Sequence, residues 1–167
     1  MPKVSDPNDL LVHDLATALT AERSIQKLLT RMSRDANDRE LKTRLKEHAQ
    51  QTRQHVKNVE QAFKRAGAKQ ETTPAPAIEG IEREYDAFAG EAAADVTADT
   101  LDLAALSVAA KIEHAEIALY ESLLAMARSA GQREVLEPLE RNLREEQAML
   151  RDGKAHVRRL ARQATRA

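Results

Sequence analysis

Apolar residues recur every three or four positions along four segments of this chain, and each segment is about 28 residues long. This spacing is typical of an amphipathic helix with one buried face. Strands and tight turns have little room, because the 167 residues include only five Gly, five Pro and four aromatic side chains. The pattern therefore predicts an all-α fold.

The segments also predict an architecture. Helices are expected at about residues 7–34, 38–66, 78–90, 100–130 and 134–163. Short turns join the first two helices and the last two, so each pair forms an antiparallel hairpin. A crossover of about 33 residues, which contains the short third helix, joins the hairpins. This arrangement is the ferritin-like antiparallel four-helix bundle, here as a single domain over residues 1–167.

Local signals mark the helix ends. Asp6, followed by a proline, is suited to cap the first helix. Gly67 and Gly131 are suited to end the helices before them. Residues 68–77 are expected to form a linker because two prolines interrupt any regular helix there. A looser stretch is expected between residues 90 and 99.

Composition narrows the function. The 26 Lys and Arg against 27 Asp and Glu leave a formal charge of −1, which argues against a nucleic-acid binder. The basic residues after position 150 are explained by the helix dipole, which favours cations at a C-terminus. The absence of cysteine excludes disulfides and thiolate metal sites. No run approaches the roughly 20 apolar residues of a membrane span, and the first residues lack the apolar core of a secretory signal. We expect a cytoplasmic protein that does not bind membranes.

The two hairpins are related by a near-repeat. An offset of 94 residues superposes them without a gap and pairs apolar positions with apolar positions. Such matches arise easily between amphipathic helices. The same offset, however, places Glu22 on Glu116, a carboxylate on a carboxylate in the middle of each inward face.

Ionisable residues interrupt the inward face of all four long helices near their middles. They are Glu22 on the first, His48 and His55 on the second, Glu113 with the adjacent Glu116 on the next, and Glu146 on the last. A buried carboxylate is costly without a partner. Several carboxylates in one core repel one another unless cations lie among them. Carboxylate and imidazole are ligands that iron and manganese accept, so the pattern indicates a dinuclear metal site.

Each residue also has a plain structural interpretation. A single Glu on a helix face commonly lies at the bundle edge and pairs with an arginine, and Arg44 and Arg141 are available for this. A single histidine is commonly hydrogen-bonded or half-exposed. Tyr120 is by default a core aromatic residue, although it could hydrogen-bond a ligand carboxylate. The coincidence on four helices favours the metal site over these separate explanations.

A longer motif carries a family resemblance. Residues 111–120 read Lys-Ile-Glu-His-Ala-Glu-Ile-Ala-Leu-Tyr. They resemble the K-x-E-H-x-E-I-A-x-Y signature of the YciE/YciF-like ferritin-like stress proteins. The resemblance extends over about residues 8–160, with further markers at Ala21-Glu22, His48 to Thr52, residues 78–81 and Glu145-Glu146.

The resemblance implies a bundle similar to rubrerythrin and bacterioferritin, a homodimer, and a role in general or osmotic stress. It also implies a site for two Fe or Mn ions, with ligands at Glu22, His48, Glu113, Glu116 and Glu146. No organic cofactor is expected.

This sequence departs from the family pattern at three positions. Gln51 stands where the family commonly has Glu, Leu19 where it often has Tyr, and Met149 where a full Glu-x-x-His motif has its histidine. His55 could restore an imidazole if its helix face turns inward. Gln51, His55 and Glu145 are therefore further candidate site residues.

Two functions follow from these observations. The first is a stress-response protein whose dinuclear site reacts with dioxygen or peroxide, or handles metal. The second is a non-catalytic structural or interaction bundle that has kept the fold with a degenerate site. The sequence leaves open whether the protein is an enzyme.

Overall fold

The computed structural model describes residues 4–90 and 95–164, and its regular secondary structure over these ranges is helical. The helices are α1 (Pro7–Asp35), α2 (Arg39–Arg65), α3 (Pro76–Ala89), α4 (Ala98–Ser129) and α5 (Leu136–Ala164), with a 3₁₀ turn at Arg133–Val135 before α5. The predicted all-α fold is confirmed. Over the same residues, none of the helices has the length and apolar character needed to cross a membrane.

The helix ends follow the local signals in the sequence. The Asp6 side chain accepts hydrogen bonds from the backbone N–H groups of Asn8 and Asp9 and so caps α1. Gly67 and Gly131 have φ angles of 66° and 70°. Glycine adopts this left-handed region without strain, which lets the chain leave α2 and α4 abruptly.

The prediction for the linker is partly wrong. Pro76, which we expected in the linker, is instead the first residue of α3. The N–H groups of a first helical turn have no acceptor within the helix, so proline loses no hydrogen bond there. Of the looser stretch predicted over residues 90–99, residues 91–94 lie outside the described ranges, and α4 already begins at Ala98.

The long helices pack as two hairpins. Helix α1 packs along α2, and α4 packs along α5. The hairpins meet where α1 contacts α4 and α2 contacts α5, while α3 lies against α4 and α1. This confirms the predicted bundle of two hairpins joined by a long crossover with an extra helix.

The interior divides into three parts along the bundle axis. The proximal core, near the α1–α2 turn, is apolar and includes Leu29, Leu41 and Ile112. The distal core, near the α4–α5 turn, is also apolar and includes Leu15 and Phe63. Between them lies a polar layer of buried residues: Glu22, His48, Thr52, His55, Glu113, Glu116, Asn142 and Glu146.

Charged side chains fix the α1–α2 turn to the second hairpin. Asp102 on α4 is 3% exposed and accepts hydrogen bonds from the backbone N–H groups of Asn37 and Asp38, at 2.8 and 2.7 Å. Asp38 caps α2 and receives both terminal nitrogens of Arg159 from α5, at 2.8 and 3.1 Å. This role of Asp102 was not predicted from the sequence.

On α4 and α5, two apolar residues are less buried than their polar neighbours. On α4, Ile117 is only half-buried, whereas Glu116 is 1% exposed and faces the core. On α5, Leu143 is half-buried and Asn142 takes the fully buried position. Neighbouring helices set the rotation of a helix about its axis, and a spacing rule alone leaves that rotation open within about one residue.

Candidate metal centre

Four helices each bring a carboxylate or an imidazole to the same level of the bundle. On α2, His48 and His55 are seven residues apart and lie two turns apart on one helix face. On α4, Glu113 and Glu116 are three residues apart and share a face in the same way. All six side chains are 3% exposed or less: Glu22, His48, His55, Glu113, Glu116 and Glu146.

These side chains form two neighbouring groups. In one, ligand atoms of His48, Glu113, Glu116 and Glu146 all lie within 4.8 Å of one another. In the other, atoms of Glu22, His55 and Glu146 meet the same limit. Glu146 belongs to both groups, so the arrangement offers two adjacent positions that share one carboxylate.

Distances within the groups suit metal ligands. Nδ1 of His48 lies 3.3 Å from Oε1 of Glu113, and its Nε2 lies 3.6 Å from Oε2 of Glu146. Nδ1 of His55 lies 2.7 Å from Oε1 of Glu146 and 3.6 Å from Oε1 of Glu22. Two ligands bound at right angles, each about 2.1 Å from one ion, are about 3 Å apart.

Several buried atoms of this layer lack a hydrogen-bond partner. Although Nδ1 of His55 and Oε1 of Glu146 are close, they are not oriented for a hydrogen bond. Buried polar atoms are nearly always paired, and leaving one unpaired costs about 1–3 kcal/mol. The unpaired atoms are Oε2 of Glu22, Nε2 of His48, Nδ1 of His55, Oε2 of Glu113 and both carboxylate oxygens of Glu116 and Glu146.

The structure brings the five predicted ligands together, and that they bind metal stays a prediction. His55 joins them, because its face of α2 turns inward and leaves it 0% exposed. The arginine pairing considered above occurs at Glu145, which receives Nε of Arg141 at 3.0 Å. Within the described chain, no arginine or lysine pairs with a carboxylate of the two groups.

Gln51 and Glu145 lie outside both groups and hold His55 from behind. Oε2 of Glu145 lies 2.9 Å from Nε2 of His55 and accepts a hydrogen bond from Nε2 of Gln51 at 3.0 Å. A carboxylate on the outer nitrogen of a histidine fixes its ring and directs the other nitrogen inward. Gln51 therefore positions Glu145.

A hydrogen-bond chain supports the other side of the layer. The Tyr120 hydroxyl donates to Oε1 of Glu22 and accepts from Nδ2 of Asn142 at 2.8 Å. Nδ2 of Asn58 donates to Oδ1 of Asn142 at 2.6 Å. Neither asparagine was predicted from the sequence to lie in this layer. The 94-residue offset contained a signal for Asn142, because it places that residue on His48.

Comparison with known proteins gives a family. Residues 6–166 match the family described as a domain of unknown function, DUF892. The chain belongs to the DUF892 family. The match runs through all five helices and includes every residue of the polar layer.

This DUF892 chain is similar to characterised sequences and structures over most of its length. It is 26% identical over 141 residues to protein YciF of Escherichia coli strain K12, covering 84% of this chain and 83% of YciF. It is 33% identical to YcfI of Rhodopseudomonas palustris, for which a structural role has been suggested, with a TM-score of 0.86 over 92% of this chain and 96% of that one. The crystal structure of the E. coli stress protein YciF has the same fold, with a TM-score of 0.89 at 22% identity over 95% of this chain and 99% of YciF.

Burial controls the charge of this DUF892 layer. It raises the pKa of Glu113 to about 11, with help from the neighbouring charge of Glu146. Burial also raises the pKa of Glu116 well above its usual range, and the carboxylates of Glu146 and Glu22 add to the effect. Glu113 therefore holds a proton at neutral pH when no cation is bound, and burial shifts Glu116 in the same direction.

The pKa shifts of the His55 imidazole and of the shared Glu146 carboxylate favour the charged form of each group, unlike those of Glu113 and Glu116. Burial alone would lower the pKa of His55, but the carboxylates of Glu146 and Glu22 outweigh it and raise that pKa to about 11. Burial acts to raise the pKa of Glu146, yet Glu113 and the two imidazoles hold it well below its usual range. Protons and metal ions thus compete for the same atoms.

Two cavities reach the polar layer from different sides. A small one of about 40 Å³ lies against His48 and Glu113, with Arg44 among its lining residues. A larger one, which we term the apolar cavity, has a volume of about 150 Å³ and lies between α1, the start of α3 and α4. Its lining residues are Thr17, Ala21, Ala75, Pro76, Ala77, Ile78, Ala115, Glu116 and Leu119.

Proposed function

We propose that this DUF892 protein binds two divalent Fe or Mn ions in its polar layer. The observation that carries the proposal is the pair of ligand groups that share Glu146 and contain buried atoms without hydrogen-bond partners. Carboxylates with imidazoles, and no thiolate in the chain, make a donor set suited to iron or manganese. Ions there would offset both the carboxylate repulsion and the cost of the unpaired atoms.

Each residue has a defined part in this proposal. Glu146 would bridge the two positions, with Glu22 and His55 completing one of them. His48, Glu113 and Glu116 would complete the other. When bound, two such ions supply a redox-active centre for reaction with dioxygen or peroxide.

The surrounding residues hold the ligands in place and keep bulk water out. Glu145 fixes the ring of His55, and Tyr120 directs its hydroxyl at Glu22. The proximal and distal cores close the layer from both ends of the bundle.

We further propose that the protein is a ferritin-like stress-response protein that acts in the cytoplasm as a homodimer. Support comes from the signature at residues 111–120, from the DUF892 match, and from the relative YciF, which is named a stress protein. This role fits a dinuclear site that removes peroxide or handles metal.

Metal analysis of variants tests the proposal. We expect two ions per chain after growth with iron or manganese, as the two groups imply. Glu146→Gln should lose both ions, because both groups contain that residue. Glu22→Gln and His48→Gln should each weaken mainly the position that contains the substituted residue. Glu121→Gln, an exposed change on α4, is the matched control and should retain both ions.

Two results would contradict the dinuclear site. One is a metal content far below one ion per chain in the wild-type protein after growth in either metal. The other is a content that stays the same in Glu146→Gln or in the double variant Glu113→Ala/Glu116→Ala.

A second candidate function is a non-catalytic structural or interaction bundle. The raised pKa of Glu113 favours it, since protonation can neutralise part of the layer without any ion. Gln51, a neutral amide where the related proteins commonly have Glu, is consistent with it. Thermal unfolding separates the candidates, because bound metal stabilises the folded state by linkage. A melting temperature that chelator leaves unchanged supports the structural bundle, and one that chelator lowers supports the metal site.

A further inference from the structure

The apolar cavity approaches the polar layer from the side that α3 partly covers. Its lining comes from α1, from the chain just before and within the first turn of α3, and from α4. Alanines at positions 21, 75, 77 and 115 form much of its lining. Because these side chains are small, they leave a volume of about 150 Å³ that the surrounding helices do not fill.

The chemistry of the lining selects an uncharged occupant. Thr17 contributes a hydroxyl, but this donates to the backbone carbonyl of His13 on its own helix at 3.2 Å. Among the described lining residues, Glu116 alone is charged, and it is 1% exposed. Pro76 and Ala77 at its mouth are exposed, so the cavity opens to solvent beside α3. Apolar cavities of this size in other proteins take up benzene or xenon.

The small cavity on the other side of the layer has a different character. Arg44, His48 and Glu113 give it ionisable groups, and its volume of about 40 Å³ is enough for water or an ion. Arg44 also pairs with Asp152 at 3.1 Å beside it. The polar layer therefore has a polar approach at His48 and an apolar approach at Glu116.

We propose that the apolar cavity binds a small, uncharged, apolar molecule, no larger than a benzene ring, directly beside Glu116. Both carboxylate oxygens of Glu116 are buried without hydrogen-bond partners, so the cavity adjoins one of the two carboxylates of the layer that are wholly unpaired. Binding depends on the cavity alone. That the bound molecule is a reactant, either dioxygen or a small organic compound, rests on the proposed metal function.

Xenon and benzene test the binding directly. Crystals of the full chain pressurised with xenon should show one xenon atom in the apolar cavity, and titration should show saturable benzene binding. Ala77→Leu places a larger apolar side chain in the cavity wall and should remove the xenon atom and weaken benzene binding at least about tenfold. Ala87→Leu, the same substitution at an exposed position of α3, should bind as the wild type does.

The two probes also separate the sources of the ligand. Binding of xenon without benzene supports a gas the size of dioxygen, whereas binding of both supports a small organic molecule as well. Thr17→Leu fills the cavity from α1 and replaces Ala77→Leu if that variant does not fold. If neither probe binds the wild-type protein, the proposal is overturned.

A kinetic measurement tests the role of the bound molecule. In protein loaded with iron, reaction with dioxygen should slow about tenfold or more in Ala77→Leu, with unchanged metal content and no change in Ala87→Leu. Failure of the metal function would appear as protein that binds xenon but no metal. Failure of the present proposal would appear as protein that binds metal but neither probe.

Sedimentation at several concentrations tests the other occupant, an apolar side chain from a second copy of the chain. We expect Ala77→Leu and the wild type to have the same oligomeric state. Dissociation of a wild-type dimer by Ala77→Leu, together with absence of xenon from that dimer, would overturn the small-molecule site.

Discussion

The two apolar cores and the polar layer between them are equally buried, but their side chains find partners to very different extents. In the proximal and distal cores, leucines, isoleucines and Phe63 contact one another and need no other partner. In the layer, carboxylates and imidazoles meet with several of their atoms unpaired. The same bundle thus contains two regions whose buried groups are fully satisfied by their neighbours and one region whose buried groups are not.

This difference gives the cores and the polar layer opposite effects on stability. A fully buried large apolar side chain stabilises the fold by about 1.5–3 kcal/mol. An unpaired buried polar atom costs about 1–3 kcal/mol. The layer therefore lowers the stability that the cores provide, unless something binds to it.

A large cavity in one core should destabilise the protein whether or not metal is present. Phe63 is 1% exposed in the distal core, so Phe63→Ala should lower the free energy of unfolding by about 4 kcal/mol. Urea denaturation with and without metal measures this. Phe88→Ala is the matched control at a position 38% exposed, and it should change the stability by less than about 0.5 kcal/mol. A similar loss in both variants would show that the core contrast is wrong.

Removing two carboxylates from the layer should have the opposite sign in metal-free protein. The pKa of Glu113 and that of Glu116 are raised in the folded state, so these groups oppose folding increasingly as pH rises above their usual value of 4.5. The double variant Glu113→Gln/Glu116→Gln should therefore gain about 2 kcal/mol at neutral pH. It should also lose the roughly 2.7 kcal/mol that one ion, at a hundredfold excess over its Kd, would give the wild type at the position of Glu113 and Glu116.

Denaturation in chelator and in manganese separates these two effects. Glu121→Gln, exposed on the same helix, should change neither. A double variant that is strongly destabilised without metal would mean that the two carboxyls stabilise the layer.

The edge of the layer should affect metal affinity more than stability. Glu145→Gln weakens the hold on Nε2 of His55, so metal affinity should fall about 10- to 100-fold while the metal-free melting temperature changes little. Competition with a coloured chelator measures the affinity. The control is Glu140→Gln, which lies on α5 as Glu145 does and breaks an ion pair with Arg128 of α4. Equal affinity in both variants would remove the positioning role of Glu145.

An ion pair that lies outside the apolar cores and the polar layer should have the smallest effect on the free energy of unfolding. The Arg159 guanidinium holds the pKa of Asp38 below its usual 3.8. The Asp38 charge therefore stabilises the fold fully above pH 3.8, and this stabilisation is lost as the pH falls through the lower pKa of the folded state. Asp38→Asn keeps a helix cap but removes the charge, and should cost at most about 1 kcal/mol near neutral pH. The difference in stability between the two proteins should vanish in strong acid. A difference that persists there would assign the effect to capping.

The helices and the level of the polar layer could be predicted from the sequence for a physical reason. Helical periodicity requires apolar residues at fixed spacing, so an ionisable residue on that face is visible as an interruption. Glu22, Glu113 and Glu146 were found in this way, and the 94-residue repeat supported Glu22 with Glu116. Each of these observations needs only one helix, or two helices compared in sequence.

Contacts between helices could not be predicted in the same way. The contact of His55 with Glu145 depends on how α2 is rotated against α5, which brings Nε2 of His55 to 2.9 Å from Oε2 of Glu145. The role of Asp102 depends on which backbone N–H groups the α1–α2 turn leaves unpaired beside α4. Asn142 was missed for the same reason, because its partners lie on two other helices.

The position of Glu146 in both ligand groups has a consequence for occupancy. An ion that engages this carboxylate from one side changes its charge and orientation as seen from the other side. By thermodynamic reciprocity, each position must alter the affinity of the other by the same factor. If the proposed ions bind, the affinities of the two positions would therefore be coupled through Glu146, the one residue that belongs to both groups.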